Sequence, residues 1–211
     1  MRVVVVGTGT EVGKTFVATA LAAAFRRAGW RTAGVKPVES GGGLGGWADA
    51  AALASAAGGG PGRPLYGFVP PLSPHLAARR AGDEVQIASV VGWVDRMRDE
   101  RVVVETAGGL LTPLSDSATN LSLVEALMPC RLVVVASDRL GVLHDVGCVR
   151  AVLRERGLWA QAVVVLSAPA VADASTGTNG PELVRLGWCA AVVVAGRDED
   201  VGDRVASALE G

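Results

Sequence analysis

Lysine is nearly absent from this chain. Of its twenty basic residues, all except Lys14 and Lys36 are arginine. A lysine that persists on such a background indicates a site that a planar guanidinium serves poorly. The lysine ammonium is a compact point charge on a flexible stem, which suits it to reaching phosphate oxygens or a small anion. We therefore interpret the pair as a sign of nucleotide chemistry, with chance survival in an arginine-biased genome as the alternative.

Cysteine is also scarce, and its spacing excludes two kinds of scaffold. Cys130, Cys148 and Cys189 are odd in number, far apart and surrounded by apolar residues. No CxxC pair or Cys/His ligand spacing occurs, so neither a zinc site nor a disulfide framework is expected. We interpret the three thiols as small core residues and expect a reducing, cytoplasmic compartment.

Long hydrophobic runs are missing as well. Half of the residues are hydrophobic, but glycine and charged residues interrupt them before they reach the roughly 18 residues that a membrane helix needs. The apolar stretch near the N-terminus is too short for a signal peptide. A net charge of −1 gives no general reason to expect a nucleic acid or an anionic membrane as a partner.

What the sequence does contain is an alternation of valine-rich runs with alanine- and leucine-rich stretches. The runs predict strands at residues 3–6, 32–35, 102–105, 132–136, 162–166 and 191–195. The intervening stretches predict helices at residues 14–28, 49–57, 85–98, 121–128, 144–156 and 201–209. Continuous apolar runs suit strands that are buried on both faces of a parallel sheet. The pattern predicts one α/β domain over residues 1–211, a doubly wound, mainly parallel sheet with helices on both faces.

Two glycine-rich stretches interrupt this alternation, at residues 41–46 and 58–62, and several prolines follow the second. Both are too short to link domains. We interpret them as active-site loops around a substrate, with plain surface loops as the alternative.

Residues 7–15, with the sequence GTGTEVGKT, follow a predicted strand and open a predicted helix, which is the context of a P-loop. Backbone amides and the helix N-terminus of such a loop hold phosphate oxygens. Lys14 would reach the β- and γ-phosphates, and Thr15 would offer its hydroxyl to magnesium. Five residues separate Gly7 from Gly13, so Thr8 stands where the common motif has its first glycine. The segment predicts a P-loop NTPase-like domain that binds a nucleoside triphosphate.

A second acidic metal ligand is expected at the end of a neighbouring strand. Glu105 closes the predicted strand at 102–105 and is followed by residues 106–109, TAGG, where the backbone can approach phosphates closely. The alternative is a glutamate that merely faces solvent. Asp49, at the start of a predicted helix, is a further candidate, although by itself it reads as a helix N-cap.

Five segments together resemble the dethiobiotin synthetase family. They are GTGTEVGKT at 7–15, VKPVESG at 35–41, LSPH at 72–75, VETAGG at 104–109 and TPLSD at 112–116. They follow the family's order and spacing over about two thirds of the chain. The resemblance implies an enzyme that closes a cyclic urea on 7,8-diaminononanoate, using carbon dioxide, ATP and magnesium in biotin synthesis, and that works as a homodimer.

The resemblance also implies roles for individual residues. Lys36 is the active-site lysine, Lys14 and Thr10 assist catalysis, and Ser40 contacts the substrate, with Thr10 and Gly108 near its carbamate end. Magnesium is implied to bind Thr15, Asp49 and Glu105. The remaining implied contacts are to the nucleotide, from Glu11, Val12, Gly13, Lys14, Thr15, Phe16, Asp49, Glu105, Thr106, Ala107 and Gly108.

The chain departs from the family pattern near the substrate. Gly9 stands where the family usually has aspartate, and His144-Asp145 stands where it commonly has Asn-His. The latter region is implied to bind the substrate's carboxylate across the dimer interface.

The chain also departs from the pattern near the nucleotide base. Ser167-Ala168 replaces the family's adenine-reading Asn-Asp pair, and the later Pro-Trp-Leu contact has no clear counterpart, with Arg197 nearby. Our hypothesis is that preference for ATP over other nucleoside triphosphates is weak.

Three other interpretations remain. A glutamine-dependent amidotransferase of the cobyrinic-acid synthase type shares the loop, but it normally carries a glutaminase domain with a catalytic cysteine, which this sequence does not show. A ParA/MinD-like regulatory ATPase carries an extra lysine near the start of the loop, whereas Lys14 is the only lysine of this loop. The third is an inactive paralogue.

Overall fold

The computed structural model describes residues 1–43, 45–196 and 200–210. Its centre is a six-stranded sheet in the order β2-β5-β1-β6-β7-β8, and every neighbouring pair is parallel. The strands are β1 Arg2–Gly7, β2 Thr32–Val35, β5 Arg101–Gly109, β6 Arg131–Ser137, β7 Ala162–Ser167 and β8 Val192–Ala195. This confirms the predicted fold class and all six predicted strands, although β5 runs four residues beyond its predicted end at Glu105.

Helices cover both faces of this sheet. They are α1 Lys14–Arg27, α2 Ala48–Ala57, α3 Pro74–Arg80, α4 Ile87–Val94, α5 Asn120–Ala126, α6 Val142–Glu155, α7 Asn179–Arg185 and α8 Val201–Glu210. In β1, Val3 and Val5 pack with α1, α2 and α8, while Val4 and Val6 face α3 to α6. All four valines are fully buried, as expected for a strand covered on both sides.

Two further strands and two of the α-helices were not predicted. Strands β3 (Val38–Ser40) and β4 (Tyr66–Phe68) form a separate two-stranded parallel sheet, and each has only three residues, too few for a periodic pattern. Helices α3 and α7 have seven residues each, which is also short for recognising a periodic pattern in the sequence. The β3–β4 pair nevertheless matters, because β3 follows Lys36 and carries Glu39 and Ser40.

The sheet topology predicts where a ligand can bind. From β1 the chain crosses to β2 at one edge, and later segments return on the other side of β1 to build β6, β7 and β8. Loops that leave neighbouring strands in opposite directions open a crevice at the carboxyl ends of those strands. The segment 8–13 lies directly after β1, in the centre of the sheet.

The prediction for the cysteines was partly wrong. Cys130 is buried and Cys189 is half-buried, but Cys148 is exposed on α6, where its Sγ lies 3.5 Å from His144 Nε2. The helical period of α6 turns this position outward, a distinction that an apolar neighbourhood in sequence does not reveal. All three thiols are free. None of the described helices is long and apolar enough to span a membrane.

Candidate active site

The segment after β1 folds as a phosphate loop. The Thr8 amide donates to the carbonyl of Val135 in β6 at 3.0 Å, which ties the loop to the neighbouring strand. Glu11 has a φ of 58° and Gly13 a φ of 90°, so the chain turns sharply before α1 begins at Lys14. A Cβ on Gly13 would lie 2.9 Å from the side chain of Ser167. Glycine is therefore required at this position for its backbone and for its lack of a side chain.

Ser167, where the resemblance implies a base-reading residue, supports this loop. It lies at the end of β7, and its hydroxyl donates to the carbonyl of Val12 at 2.6 Å. The hydroxyl is buried and also lies 3.3 Å from the carbonyl of Ala136. Ser167 thus stabilises the phosphate loop from below.

A cavity of about 810 Å³ opens where the loop meets the ends of β2, β3 and β5. Every residue predicted for the site lines it except Val12 and Thr106. Val12 is buried beneath the loop. Thr106 is also buried, and its hydroxyl donates to the carbonyl of Val5 at 3.1 Å. Because their side chains point into the protein, contacts from these two residues to a nucleotide stay a prediction.

The two glycine-rich stretches predicted as active-site loops do not line this cavity in their described residues. Residues 71–74, within the proline-rich segment, line it. The stretch 58–62 does not, because it packs on the edge of β2, where the Gly34 amide donates to the carbonyl of Gly59 at 3.0 Å. Of residues 41–46, the described ones are not among its lining, and Leu44 lies outside the described residues.

A charged cluster forms the floor of the cavity. The Lys36 ammonium donates to Glu105 Oε1 at 2.9 Å and makes a short hydrogen bond to Asp49 Oδ2. The Thr15 hydroxyl donates to the same Glu105 Oε1 at 2.7 Å. The structure therefore brings together the phosphate loop, the second lysine and both candidate carboxylates.

Burial and charge shift the pKa values in this cluster. Glu105 is fully buried, and its burial raises the pKa of the carboxyl even though Lys36 opposes the shift. Burial by itself would lower the pKa of Lys36. The charges of Glu105 and Asp49 outweigh this effect and hold the pKa of the ammonium above its usual range. Lys36 is thus a charged ammonium at neutral pH.

Lys14 lies in the same cavity, but its pKa is shifted in the opposite direction. It is 7% exposed, and its ammonium donates to the carbonyl of Gly9 at 2.8 Å. Burial lowers the pKa of Lys14 to about 8; Glu105 opposes this shift and the ammonium of Lys36 adds to it. Lys36 and Glu105 both act on the pKa of Lys14, so the chain's two lysines share one electrostatic environment.

The cluster fits a magnesium ion that is held together with phosphate oxygens. Glu105 Oε2 is buried and has no hydrogen-bond partner among the described residues, so it is an oxygen available to a cation. The Thr15 hydroxyl binds the other oxygen of Glu105, and the Asp49 carboxylate shares the Lys36 ammonium with Glu105. The described residues contain no group of three or more His, Cys, Asp or Glu side chains suited to a metal. Magnesium commonly needs only one or two carboxylates beside substrate phosphates.

Asn120 is a site residue that the sequence did not reveal. It is fully buried at the start of α5, and its amide donates to the carbonyls of Ala107 and Gly109 at 2.6 and 2.7 Å. These contacts brace the loop that includes Gly108, whose φ is 72°. In the sequence, Asn120 is only an amide side chain next to the helix predicted at 121–128. That position does not indicate which loop the amide binds.

We expect Asn120→Ala to lower the free energy of unfolding by about 1–3 kcal/mol, the sum of two hydrogen bonds, and to raise the KM for nucleotide. The loss of both donors releases the backbone at 107–109 from its position beside the phosphate loop. Urea unfolding and steady-state kinetics measure the two effects. Ser122→Ala is the control, because its hydroxyl serves the start of α5 through Thr119. An unchanged KM in Asn120→Ala would contradict the bracing role.

A second cavity, of about 480 Å³, lies on the other side of the phosphate loop. Thr10, Thr112 and Pro113 line both cavities, so the two adjoin. His144 and Asp145 from the start of α6 line the second one. The Asp145 carboxylate accepts a hydrogen bond from Arg139 at 3.0 Å.

A smaller cavity, of about 170 Å³, lies beyond Glu11 and Phe16. Ser137, Ser167 and Ala168 line it at the ends of β6 and β7. This is the region where the resemblance implies contacts to the nucleotide base. Arg197, the remaining candidate there, lies outside the described residues.

Comparisons with solved structures agree with this architecture. The fold is similar to the signal recognition particle receptor FtsY from Elizabethkingia anophelis, with a TM-score of 0.57, 14% identity, and coverage of 95% of this chain and 60% of that one. It is also similar to the MinC:MinD cell division protein complex of Aquifex aeolicus, with a TM-score of 0.51, 11% identity, and coverage of 96% of this chain and 85% of that one. At these identities the likeness shows the P-loop NTPase fold alone.

Sequence comparisons are more specific. Residues 1–184 match the family model described as an AAA domain. The chain is 40% identical to the ATP-dependent dethiobiotin synthetase BioD of Anaeromyxobacter dehalogenans strain 2CP-C, over 86% of this chain and 83% of the relative. It is 38% identical to the protein of that name from Saccharopolyspora erythraea, over 85% and 80%. The one from Corynebacterium diphtheriae is 34% identical, over 87% and 83%. The chain therefore belongs to the dethiobiotin synthetase family of ligases.

Proposed function

We propose that the protein is an ATP-dependent dethiobiotin synthetase, a cyclo-ligase that converts 7,8-diaminononanoate and carbon dioxide to dethiobiotin in biotin biosynthesis. The observation that supports this most is the single cavity in which Lys14 and Lys36 lie with Glu105, Asp49 and Ser40. Two ammonium groups beside a phosphate loop suit a reaction that joins two anions. We further propose that it works as a homodimer; a cytoplasmic location stays a prediction.

In the first stage, one amine of the substrate attacks carbon dioxide, forms a C–N bond and loses a proton to give a carbamate. A carbamate oxygen then attacks the γ-phosphorus of ATP, and ADP leaves with the electrons of the broken P–O bond. Both reactants are anionic, so their approach is repulsive. The charges of Lys14 and Lys36 and the amides of the phosphate loop offset this repulsion.

In the second stage, the other amine attacks the carbonyl carbon of the carbamic–phosphoric anhydride. The new C–N bond closes the five-membered urea, phosphate leaves with the C–O bond pair, and the attacking amine releases its proton. No serine, cysteine or histidine nucleophile is needed. The protein's part is to place both amines and the anhydride correctly, and positioning of this kind supplies much of the rate enhancement of such reactions.

We assign magnesium to Thr15, Asp49 and Glu105, a set that fits because Glu105 Oε2 is buried without a partner among the described residues. When bound, magnesium neutralises charge on the β- and γ-phosphates. Glu105 and Asp49 hold Lys36 in the structure described here. The same two carboxylates thus serve both the lysine and the metal.

The second cavity supports a place for the rest of the substrate. Beyond its two amines, 7,8-diaminononanoate has an apolar chain and a carboxylate. The cavity adjoins the first at Thr10 and is lined in part by Leu110, Leu111 and Val149. We propose that the chain of the substrate passes Thr10 into this cavity, and that a second copy of the protein completes the carboxylate site near His144.

The test is to incubate the purified protein with 7,8-diaminononanoate, bicarbonate and Mg-ATP and to measure phosphate and dethiobiotin together. We expect equal amounts of both products, and neither without the diamine. Phosphate release that does not depend on the diamine would favour a ParA/MinD-like regulatory ATPase. No turnover despite nucleotide binding would indicate an inactive paralogue.

We expect the enzyme to discriminate weakly between nucleotide bases. The Ser167 hydroxyl donates its hydrogen to the carbonyl of Val12, and Ala168 offers no polar side chain. A site built to hydrogen-bond a group rejects analogues by about 10⁴-fold or more, whereas a site without such contacts discriminates by about 100-fold or less. The kcat/KM values for GTP and CTP should therefore lie within about 100-fold of the value for ATP. A preference for ATP of about 10⁴-fold would contradict this prediction.

A further inference from the structure

Helix α2 begins beside the cavity without a cap of its own. Trp47, at the N-cap position, contributes no side-chain hydrogen bond to the helix within the described part of the chain. In most helices the N-cap side chain accepts the amide of the second or third helical residue. In α2 these residues are Asp49 and Ala50, and their amides bind a side chain from elsewhere in the fold.

That side chain is Glu39 of strand β3. Its Oε1 accepts the Asp49 amide at 3.2 Å, and its Oε2 accepts the Ala50 amide at 3.0 Å. Glu39 is 6% exposed, and both of its oxygens are engaged by the helix. A carboxylate at this end of a helix is stabilised by the exposed amides and by the helix dipole. A residue ten positions earlier in the chain thus fixes the start of α2.

Neighbouring contacts hold β3 in place. Ser40, the next residue, donates its hydroxyl to the carbonyl of Leu72 at 2.6 Å. The Trp47 ring fills a space where a Cβ on Gly42 or Gly67 would come within 2.4 Å of a ring atom. The β3–β4 sheet and the start of α2 are therefore packed together closely. A shift of Glu39 would be passed to α2 as a whole.

The segment 36–40 consequently holds Asp49 at two points. Lys36 binds the Asp49 carboxylate, and Glu39 binds the Asp49 amide. The Asp49 side chain is still 40% exposed toward the cavity, so contacts with neighbours do not fully lock it. Its direction depends on where its backbone is held, and Glu39 sets that position.

We propose that Glu39 is a positioning residue for the metal site: by capping α2 from β3, it holds Asp49 where its carboxylate can bind magnesium with the nucleotide. This proposal depends on the assignment of Asp49 as a magnesium ligand in the proposed function. Residues that orient metal ligands through hydrogen bonds typically change metal affinity by about 10–100-fold when they are replaced. The effect is therefore expected in magnesium affinity, while the chemical step is nearly unchanged.

The decisive variant is Glu39→Gln, which keeps the shape of the side chain but leaves one of the two helix amides without an acceptor. Calorimetric titration of Mg²⁺ into protein with a non-hydrolysable ATP analogue should show affinity weakened by about 10-fold. In kinetics, the Mg²⁺ concentration for half-maximal rate should rise by a similar factor, with kcat at saturating Mg²⁺ within about threefold of wild type. Glu125→Gln, an exposed carboxylate paired with Arg156, is the matched control.

A double-variant cycle separates positioning from a purely structural role. If Glu39 acts through Asp49, then Glu39→Gln should weaken Mg²⁺ binding far less in an Asp49→Asn background than in wild type. Hydrogen exchange should show faster exchange at the start of α2 in Glu39→Gln. If Glu39→Gln destabilises the protein too much to titrate, the milder Glu39→Asp is titrated in the same way. Unchanged Mg²⁺ affinity, or an equal loss in both backgrounds, would overturn the proposal.

These binding measurements do not involve the diamine. If the protein binds Mg²⁺ with nucleotide but forms no dethiobiotin, the proposed function fails while the role of Glu39 is still decided. If Asp49→Asn itself leaves Mg²⁺ affinity unchanged, the metal assignment fails, and the inference about Glu39 fails with it.

Discussion

Replacing Lys36 by arginine should lower kcat for dethiobiotin formation by about 100-fold or more, the range for losing one well-placed hydrogen-bond donor in an active site. The charge is retained, so the reason is geometric. A guanidinium is planar and binds carboxylates through a rigid fork, whereas an ammonium is a point charge that can turn toward a new partner. Arginine at this position should stay paired with Glu105 and Asp49 instead of reaching the carbamate.

Single-turnover measurement of phosphate release and ring closure tests this prediction. Since a cation still separates the two carboxylates, the melting temperature of Lys36→Arg should stay close to that of wild type. The control is the reverse exchange at an exposed position, Arg31→Lys, where the side chain pairs with Glu100 at the surface. Near-normal turnover in Lys36→Arg would show that the scarcity of lysine carries no functional meaning.

Replacing Lys14 by alanine should lower kcat/KM for ATP by about 10³-fold, because the variant loses a charge directed at the phosphates. The fold should tolerate the change. Burial lowers the pKa of Lys14 to about 8, which means that burying its ammonium costs folding free energy at neutral pH. Removing the side chain therefore removes this cost together with its packing. We expect activity to be lost while the melting temperature changes little.

Arg27→Ala is the control for Lys14→Ala. It removes a cation from the other end of α1, where Arg27 forms an exposed pair with Asp203. Its turnover should match that of wild type. Calorimetry with the non-hydrolysable ATP analogue adds a second measurement. If Lys14→Ala binds this analogue as tightly as wild type and turns over ATP normally, the assignment of the phosphate loop is wrong.

The main sheet and the centre of the site were predictable because each depends on a local signal. Buried strands such as β1 are uninterrupted valine runs, and a strand followed by GKT and a helix identifies a phosphate loop. Lys36 and Glu105 were predictable for a related reason. Lys36 follows the buried strand β2, and Glu105 lies near the end of the buried run of β5. Such runs of parallel strands end near one edge of the sheet. Neighbouring strand ends then bring these residues together without further information.

What could not be predicted depends on contacts between distant segments. From the sequence alone, Glu39 is indistinguishable from an ordinary strand residue. Only the structure shows that its carboxylate caps the start of α2. Asn120 likewise indicates only a helix boundary. Only the structure shows that its amide donates to the carbonyls of Ala107 and Gly109. The exposure of Cys148 depends on the exact rotation of α6. In each case the sequence shows a suitable chemical group, and only the fold identifies its partner.

The position of β1 in the sheet has a consequence for how the protein is made. β1 (Arg2–Gly7) leaves the ribosome well before its partners, β5 (Arg101–Gly109) and β6 (Arg131–Ser137). At translation rates of roughly 5–20 residues per second, this valine-rich segment waits on the order of 5–25 s for both neighbours. Unpaired apolar strands of this kind are prone to aggregate. The nascent chain should thus depend on chaperones at least until β6 has been synthesised.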